Sequence, residues 1–169
     1  IPIEAALIAK NRAPGLDRSF AAQRWSTLPS GLWLDAAQEA QDKEFHGAYD
    51  IWGGDIDPAA VELARHNASL AGVEDCVRFE VADAGKFHRS SEYGQLVTNP
   101  PYGERLLEKK EAEALYRAFG EAYRTLPPKW RVVVLSSHTE FERCFGRKAD
   151  KKRKLYNGML KCDAFIFSR

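Results

Sequence analysis

No stretch of this sequence approaches the roughly 18 consecutive apolar residues of a membrane helix. No charged-then-apolar leader is visible either, so no membrane role is expected. Cysteine is scarce: Cys76, Cys144 and Cys162 are odd in number, far apart and free of any CxxC spacing. That argues against a disulfide scaffold or a cysteine metal site and predicts three buried thiols in a reducing, cytoplasmic compartment. The four histidines, His46, His66, His88 and His138, are scattered and predict no metal. An excess of one charge is missing too, since the net charge is +1. No internal repeat or low-complexity segment competes with an ordinary globular reading.

What is present is 169 residues, 44% hydrophobic and 29% charged, enough for one domain with a buried core. Residues 1–169 are therefore read as a single domain. The chain opens Ile1-Pro2 without a methionine, which suggests a piece of something longer.

The densest signal is Leu96-Val97-Thr98-Asn99-Pro100-Pro101-Tyr102-Gly103. The run Gly94 to Thr98 predicts a strand buried in a sheet. It stops at Asn99, because two prolines cannot donate to a ladder and fix φ at about −65°. A residue before proline is pushed out of the helical region, so Asn99 is expected to be extended, its amide projecting from the strand end. Tyr102 brings a flat ring to the same point, where open α/β sheets bind ligands. This set suits methylation of a planar amine, whose lone pair is delocalised. Asn99 Oδ1 and the Pro100 carbonyl accept its two N–H hydrogens, aim the lone pair at a methyl donor and stabilise the charge developing on nitrogen. Tyr102 stacks on the plane. A proline-terminated strand with a surface tyrosine is the plain alternative, but such a turn does not require Asn, two Pro and an aromatic in that order.

Along the chain, Ile1 to Lys10 predicts a buried helix with Pro2 in its first turn. Residues 11–29 read as a loop with a short helical turn around Phe20 to Trp25. Arg12, Arg18 and Arg24 in it either meet phosphates or are simply solvated. Ser30 is a candidate cap for a helix to about Phe45, with Leu32, Trp33, Ala36 and Ala40 inward. Tyr49 to Asp55 predicts a strand, and a helix follows from Ala59 to Ala71, closed by Gly72. Asp57, directly before Pro58, is the expected helix cap. Asp55 stands at the strand end, where nucleotide-binding α/β folds bind ribose hydroxyls. Val77 to Val81 is the next strand, followed by Asp83-Ala84, with Asp83 a candidate cap for 84–87. Glu108 to Arg124 predicts an amphipathic helix burying Leu115, Ala118, Phe119 and Ala122. Trp130 to Ser136 is a strand, and Thr139 caps a short helix to about Phe145. Lys152 to Tyr156 and Leu160 to Phe167, separated by Asn157-Gly158, form a hairpin. Helices and strands alternate, so the fold class is a doubly wound α/β sheet ending in an antiparallel hairpin.

Asn-Pro-Pro-Tyr resembles the motif of class I S-adenosylmethionine-dependent methyltransferases acting on amino groups. Asn99 to Arg105 is similar to one branch, the THUMP-associated guanine-N2 methyltransferases of ribosomal RNA. So are Arg12-Ala-Pro-Gly15 and Lys152 to Cys162, while the block from Asp55-Ile-Asp-Pro58 to Ala64-Arg-His-Asn67 resembles the second conserved block of the family. The resemblance implies a Rossmann-like methyltransferase domain with S-adenosylmethionine as cofactor. It places the ribose at Asp55 and Ile56, the adenine at Asp83 and Ala84, and the chemistry at Asn99, Pro100 and Tyr102. In that family a strand and a Gly-Ser-Gly-Thr loop precede a helix like Ile1-Pro-Ile-Glu-Ala-Ala6. Neither stands ahead of Ile1, so this chain is expected to lack the central strand and half the cofactor site, and to bind cofactor weakly by itself. Glu4 then either neighbours the cofactor's amino acid moiety or serves the helix dipole. Arg105 either pairs with Glu104 or contacts substrate.

Residues 147–154 carry a net +5, leaving −4 for the rest of the chain. Arg147, Lys148, Lys151, Lys152, Arg153 and Lys154 predict a polyanion partner, with a solvated hairpin as the alternative. With the resemblance, this gives methylation of guanine N2 in large-subunit ribosomal RNA, on a base flipped out of any duplex. The family also implies an upstream THUMP domain. A transfer RNA guanine enzyme, a protein glutamine or DNA adenine methyltransferase, and a non-catalytic RNA-binding module are the alternatives.

Overall fold

A computed structural model describes residues 1–29, 31–102 and 109–168. Ser30, expected to cap a helix, and Gly103, Glu104, Arg105 and Glu108 lie outside the described residues. The elements are α1 (Pro2–Ala9), α2 (Leu32–Asp42), β1 (Ile51–Asp55), α3 (Pro58–Leu70), β2 (Val77–Val81), β3 (Tyr93–Thr98), α4 (Lys109–Thr125), β4 (Lys129–Ser136), α5 (Phe141–Phe145), β5 (Lys151–Asn157) and β6 (Leu160–Ser168). Short 3-10 turns stand at Ala21–Arg24 and Ala84–Lys86. The chain divides into two compact units, one of Ile1–Gly53 with Asp57–Glu80, the other of Gly54–Ile56 with Val81–Arg169. Strands β1 and β2 form a two-stranded sheet, and β3-β4-β6-β5 form a four-stranded one. No described helix is long and apolar enough to cross a membrane.

In the first unit, Ala6, Ala68, Val73, Cys76 and Val77 make a small core, with Ile3, Leu7, Ile51 and Phe79 against it. Asp57 caps α3 as expected, its Oδ1 accepting the Ala59 N–H at 2.9 Å. Two expectations need correcting. Helix α1 forms but is not buried: only Ala6 is, and Ile8 is 76% exposed, because apolar residues ring this helix while a single face packs. Helix α2 buries no residue either, and Leu32 and Ala36 are exposed. Its Trp33 is half-buried, stacked on Phe20 of the loop at 5.4 Å.

The second unit holds the larger core. Strand β3 runs parallel to β4, Leu96 beside Val132, and β4 runs antiparallel to β6, Val134 beside Phe165. Alternation along β4 buries Trp130, Val132, Val134 and Ser136 on one face, as a period of two requires. Phe141 and Phe145 of α5 and Phe119 and Tyr123 of α4 close over them. Strand β3 is less buried than its apolar run suggested. Among the described residues it has a ladder on one side only, and Leu96 packs on the core while Val97 is half exposed. Thr139 does not cap α5: Glu140 holds the cap position, and the Glu140 N–H donates to His138 Nδ1 at 3.2 Å. The hairpin turn is shifted by one residue. Asn157 pairs with Leu160, leaving Gly158 and Met159 as the two-residue loop, and Gly158 has φ 63°. A glycine with positive φ at the first loop position is what a type II′ hairpin demands.

Helix α4 approaches α5 most closely at Gly120, where a Cβ would lie 2.1 Å from the Phe145 carbonyl oxygen. Alanine favours helices over glycine by about 1 kcal/mol, but the backbone carbonyl cannot yield without parting the two helices. Gly120→Ala is expected to destabilise the protein by about 1–3 kcal/mol. Urea denaturation checks this, and an unchanged or raised midpoint would contradict the close approach.

Candidate active site

Strand β3 delivers Asn99 and its prolines to the carboxyl end of the four-stranded sheet. Asn99 is exposed, and Pro100, Pro101 and Tyr102 are half-buried. The Asn99 amide does not project freely, because its Oδ1 accepts the Tyr102 hydroxyl proton. The two residues singled out in the sequence therefore touch each other directly. Burial pushes the Tyr102 hydroxyl above its ordinary range; Asn157 pulls it the other way and the Cys162 thiol adds to the rise. Those two neighbours place Tyr102 against the hairpin, beside the turn at Gly158.

Beneath the motif lie residues the sequence reading missed. Tyr116 of α4, fully buried, donates its hydroxyl to the Pro101 carbonyl at 2.6 Å and lies 3.4 Å from Ser136 Oγ. The His138 N–H donates to the same Ser136 oxygen at 3.1 Å. His138 Nε2 is buried 3.9 Å from a Glu113 carboxylate oxygen. The signal for Tyr116 was available: Ala112, Tyr116, Phe119 and Tyr123 recur at helical spacing, and all four are buried.

The four residues expected at a cofactor gather at the ends of β1 and β2. The Ala82 N–H donates to the Asp55 carbonyl at 2.8 Å, so the two strand ends meet with Asp55, Ile56, Asp83 and Ala84 around the junction. Ile56 is 70% exposed and Ala84 is exposed as well, whereas Asp83 lies half-buried. Asp83 Oδ1 accepts the Gly85 N–H at 2.8 Å, capping the 3-10 turn, while Oδ2 lies 4.0 Å from Lys86 Nζ. Capping is thus a role the structure does give Asp83. A cofactor's hydroxyl and amino donors fit such a junction, with the exposed Asp55 and the second oxygen of Asp83 as acceptors.

The basic run is brought together less completely than its sequence density suggested. Strand alternation puts Lys151 and Arg153 on one face of β5 and Lys152 and Lys154 on the other. Arg147 is engaged inside the unit, bonding Asp150 at 3.0 Å, the Ser168 carbonyl at 3.0 Å and the Tyr123 hydroxyl. Lys152 pairs with Glu142 at 2.8 Å. Lys148, Lys151, Arg153 and Lys154 are exposed to solvent. Arg12, expected either to meet phosphate or to be solvated, pairs with Asp17 at 3.0 Å and Glu44 at 3.4 Å.

A family model described as "RMKL-like, methyltransferase domain" (UPF0020) matches residues 1–166. The chain belongs to this family. The RMKL-like chain is 42% identical over 168 residues to "Putative RNA methyltransferase YpsC" of Bacillus subtilis (strain 168), spanning 99% of this chain and 43% of that protein. It is 39% identical over 171 residues to "Ribosomal RNA large subunit methyltransferase K/L" of Shewanella baltica (strain OS185), spanning 98% of this chain and 24% of that protein. The RMKL-like chain thus spans less than half the length of either relative. Among solved structures it superposes on "SMU.472, a putative methyltransferase complexed with SAH", with a TM-score of 0.94 and 43% identity, over 99% of this chain and 44% of that one. The fold is accordingly the α/β fold of the class I methyltransferases, with the antiparallel terminal strands that the hairpin signal predicted.

Proposed function

We propose that this chain is the catalytic domain, residues 1–169, of a longer protein that methylates the exocyclic N2 amine of guanine in large-subunit ribosomal RNA. The observation that carries the reading is the Asn99-Pro100-Pro101-Tyr102 turn at the end of β3, with Tyr102 already seated on Asn99. The names of the YpsC and K/L relatives support an RNA substrate, and the SAH complex of SMU.472 supports S-adenosylmethionine as cofactor. When bound, that cofactor supplies an activated methyl group. Asp55 with Ile56 would hold its ribose, and Asp83 with Ala84 its adenine.

The guanine amine takes Asn99 Oδ1 in place of the Tyr102 hydroxyl, and its second hydrogen goes to the Pro100 carbonyl. With both N–H bonds directed, the lone pair is forced out of conjugation and towards the methyl group. The positive charge that would form on nitrogen faces two oxygen dipoles, and the proton, acidic only after transfer, would leave to solvent water. The Tyr102 ring covers the base. Lys148, Lys151, Arg153 and Lys154 meet phosphates, with Arg147 and Lys152 bracing the hairpin from which they project. A THUMP domain upstream would deliver the RNA, in the cytoplasm.

The test incubates the full-length protein with radiolabelled S-adenosylmethionine and, separately, unmodified ribosomal RNA, transfer RNA, DNA and a glutamine-containing protein substrate. Label in N2-methylguanosine from ribosomal RNA is the expected result. Label confined to transfer RNA, DNA or protein would assign the site to another amine. Neutralising Lys151, Arg153 and Lys154 together is expected to flatten the salt dependence of RNA binding, by about 0.7–0.9 in the logarithmic slope for each phosphate no longer neutralised. An unchanged slope would remove the hairpin from the RNA interface.

A further inference from the structure

Two consecutive prolines leave the turn after Asn99 without N–H groups at 100 and 101, so the backbone offers only carbonyls there. The proposed function gives the Pro100 carbonyl to the substrate. The Pro101 carbonyl already has a partner, the Tyr116 hydroxyl at 2.6 Å. With φ locked in both rings, ψ is the soft torsion left at each, and this bond restrains the second of them.

Tyr116 is built to be immobile. It is fully buried, with its ring edge-on to Phe141 at 5.0 Å and to His138 at 5.5 Å. A phenol has one proton to donate. Directed at Pro101, it makes Ser136 the donor in the 3.4 Å approach between the two hydroxyls. Ser136 in turn accepts the His138 N–H. The donors therefore run one way: His138 N–H to Ser136, Ser136 O–H to Tyr116, Tyr116 O–H to Pro101. Each link polarises the next. Burial raises the Tyr116 hydroxyl above its ordinary range while Ser136 lowers it, as a hydroxyl donating into the phenol oxygen would.

We propose that Tyr116 is a positioning residue for the methyl transfer, holding the Asn99-Pro100-Pro101 turn in place through the Pro101 carbonyl, with Ser136 as its support. The inference rests on the reading of Asn99 and Pro100 as acceptors for the substrate amine. Tyr116 itself touches no reacting atom. Without its hydroxyl the two acceptors lose their alignment, which misdirects the lone pair but leaves the surfaces that bind RNA and cofactor intact.

The test uses the full-length protein and its Tyr116→Phe, Ser136→Ala and Asn99→Ala variants. Methyl transfer from labelled S-adenosylmethionine to unmodified ribosomal RNA gives kcat and KM, calorimetry gives cofactor affinity, and thermal unfolding reports folding. Tyr116→Phe keeps the ring and is expected to lower kcat on the order of 10–100-fold. KM for RNA and cofactor affinity are expected to stay within about twofold, since a hydrogen bond remote from both is all that is removed. Ser136→Ala is expected to lower kcat by a smaller factor, about 2–10-fold. Unchanged kcat in a folded Tyr116→Phe protein overturns the proposal, and so does a loss of cofactor affinity equal to the loss of turnover. If Tyr116→Phe does not fold, Ser136→Ala decides alone: wild-type turnover there is the refuting result. Full turnover in Asn99→Ala would instead overturn the reading beneath it, so the two failures are distinguishable.

Discussion

Replacing Asn99 with alanine is expected to lower kcat for methyl transfer about 10²–10³-fold while RNA affinity stays within about twofold. The asymmetry follows from where the charge appears. In the ground state the amine is neutral, and removing one acceptor from a large RNA interface is a small change. In the transition state nitrogen becomes cationic, and the missing oxygen was aimed at it. The substitution also strips the Tyr102 hydroxyl of its acceptor in a half-buried place, so the ring proposed to cover the base loses its anchor as well. Single-turnover kinetics with the full-length protein separate this from slower product release. An Asn99→Ala protein that fails to bind RNA, or that turns over at the wild-type rate, would be inconsistent with Asn99 as the amine acceptor.

The second large effect concerns stability. Phe141→Ala is expected to destabilise the protein by about 3–5 kcal/mol, a large share of the roughly 5–15 kcal/mol that holds an ordinary domain folded. Phe141 is fully buried in a short helix, with ring centroids of Phe165 at 4.6 Å, Tyr116 at 5.0 Å and Phe145 at 5.4 Å. Those neighbours come from β6, α4 and α5, so the cavity opens where three elements meet and none can close it without leaving another. The denaturant midpoint of the variant checks the size of the effect. A shift worth less than about 1 kcal/mol would mean the site collapses freely, against the packing described.

The parts of this fold legible in the sequence are those set by short-range chemistry. Asp57 before Pro58 had to cap a helix, and it does. The apolar run Trp130 to Ser136 and the glycine at 158 announced a strand and a hairpin, although the turn lies one residue later than Asn157-Gly158 implied. Burial is less legible. Apolar content in α1 and β3 points to an interior position, but burial depends on partners, and one-sided partners leave Ile8 and Val97 exposed. At the site, Asn99 and Tyr102 were legible because Pro-Pro forces them together. The burial of Tyr116 was legible in the helical spacing, but its bond to Pro101 was not, because that partner lies fifteen residues away and is a main-chain carbonyl, which no side-chain pattern announces. The basic run showed its charge but not its geometry, since two of its six cations brace the protein itself.

The sheet order β3-β4-β6-β5 has a consequence for the making of the protein. Strand β6 is synthesised after β5, yet it lies between β4 and β5 and carries Phe165 and Phe167 into the core. On a growing chain β5 has no partner to pair with, and Phe141 and Phe145 have no floor, until the residues beyond Gly158 have emerged. The second unit thus assembles late, around its last strand, and a ribosome that stalls before Leu160 would release apolar surface rather than a folded half.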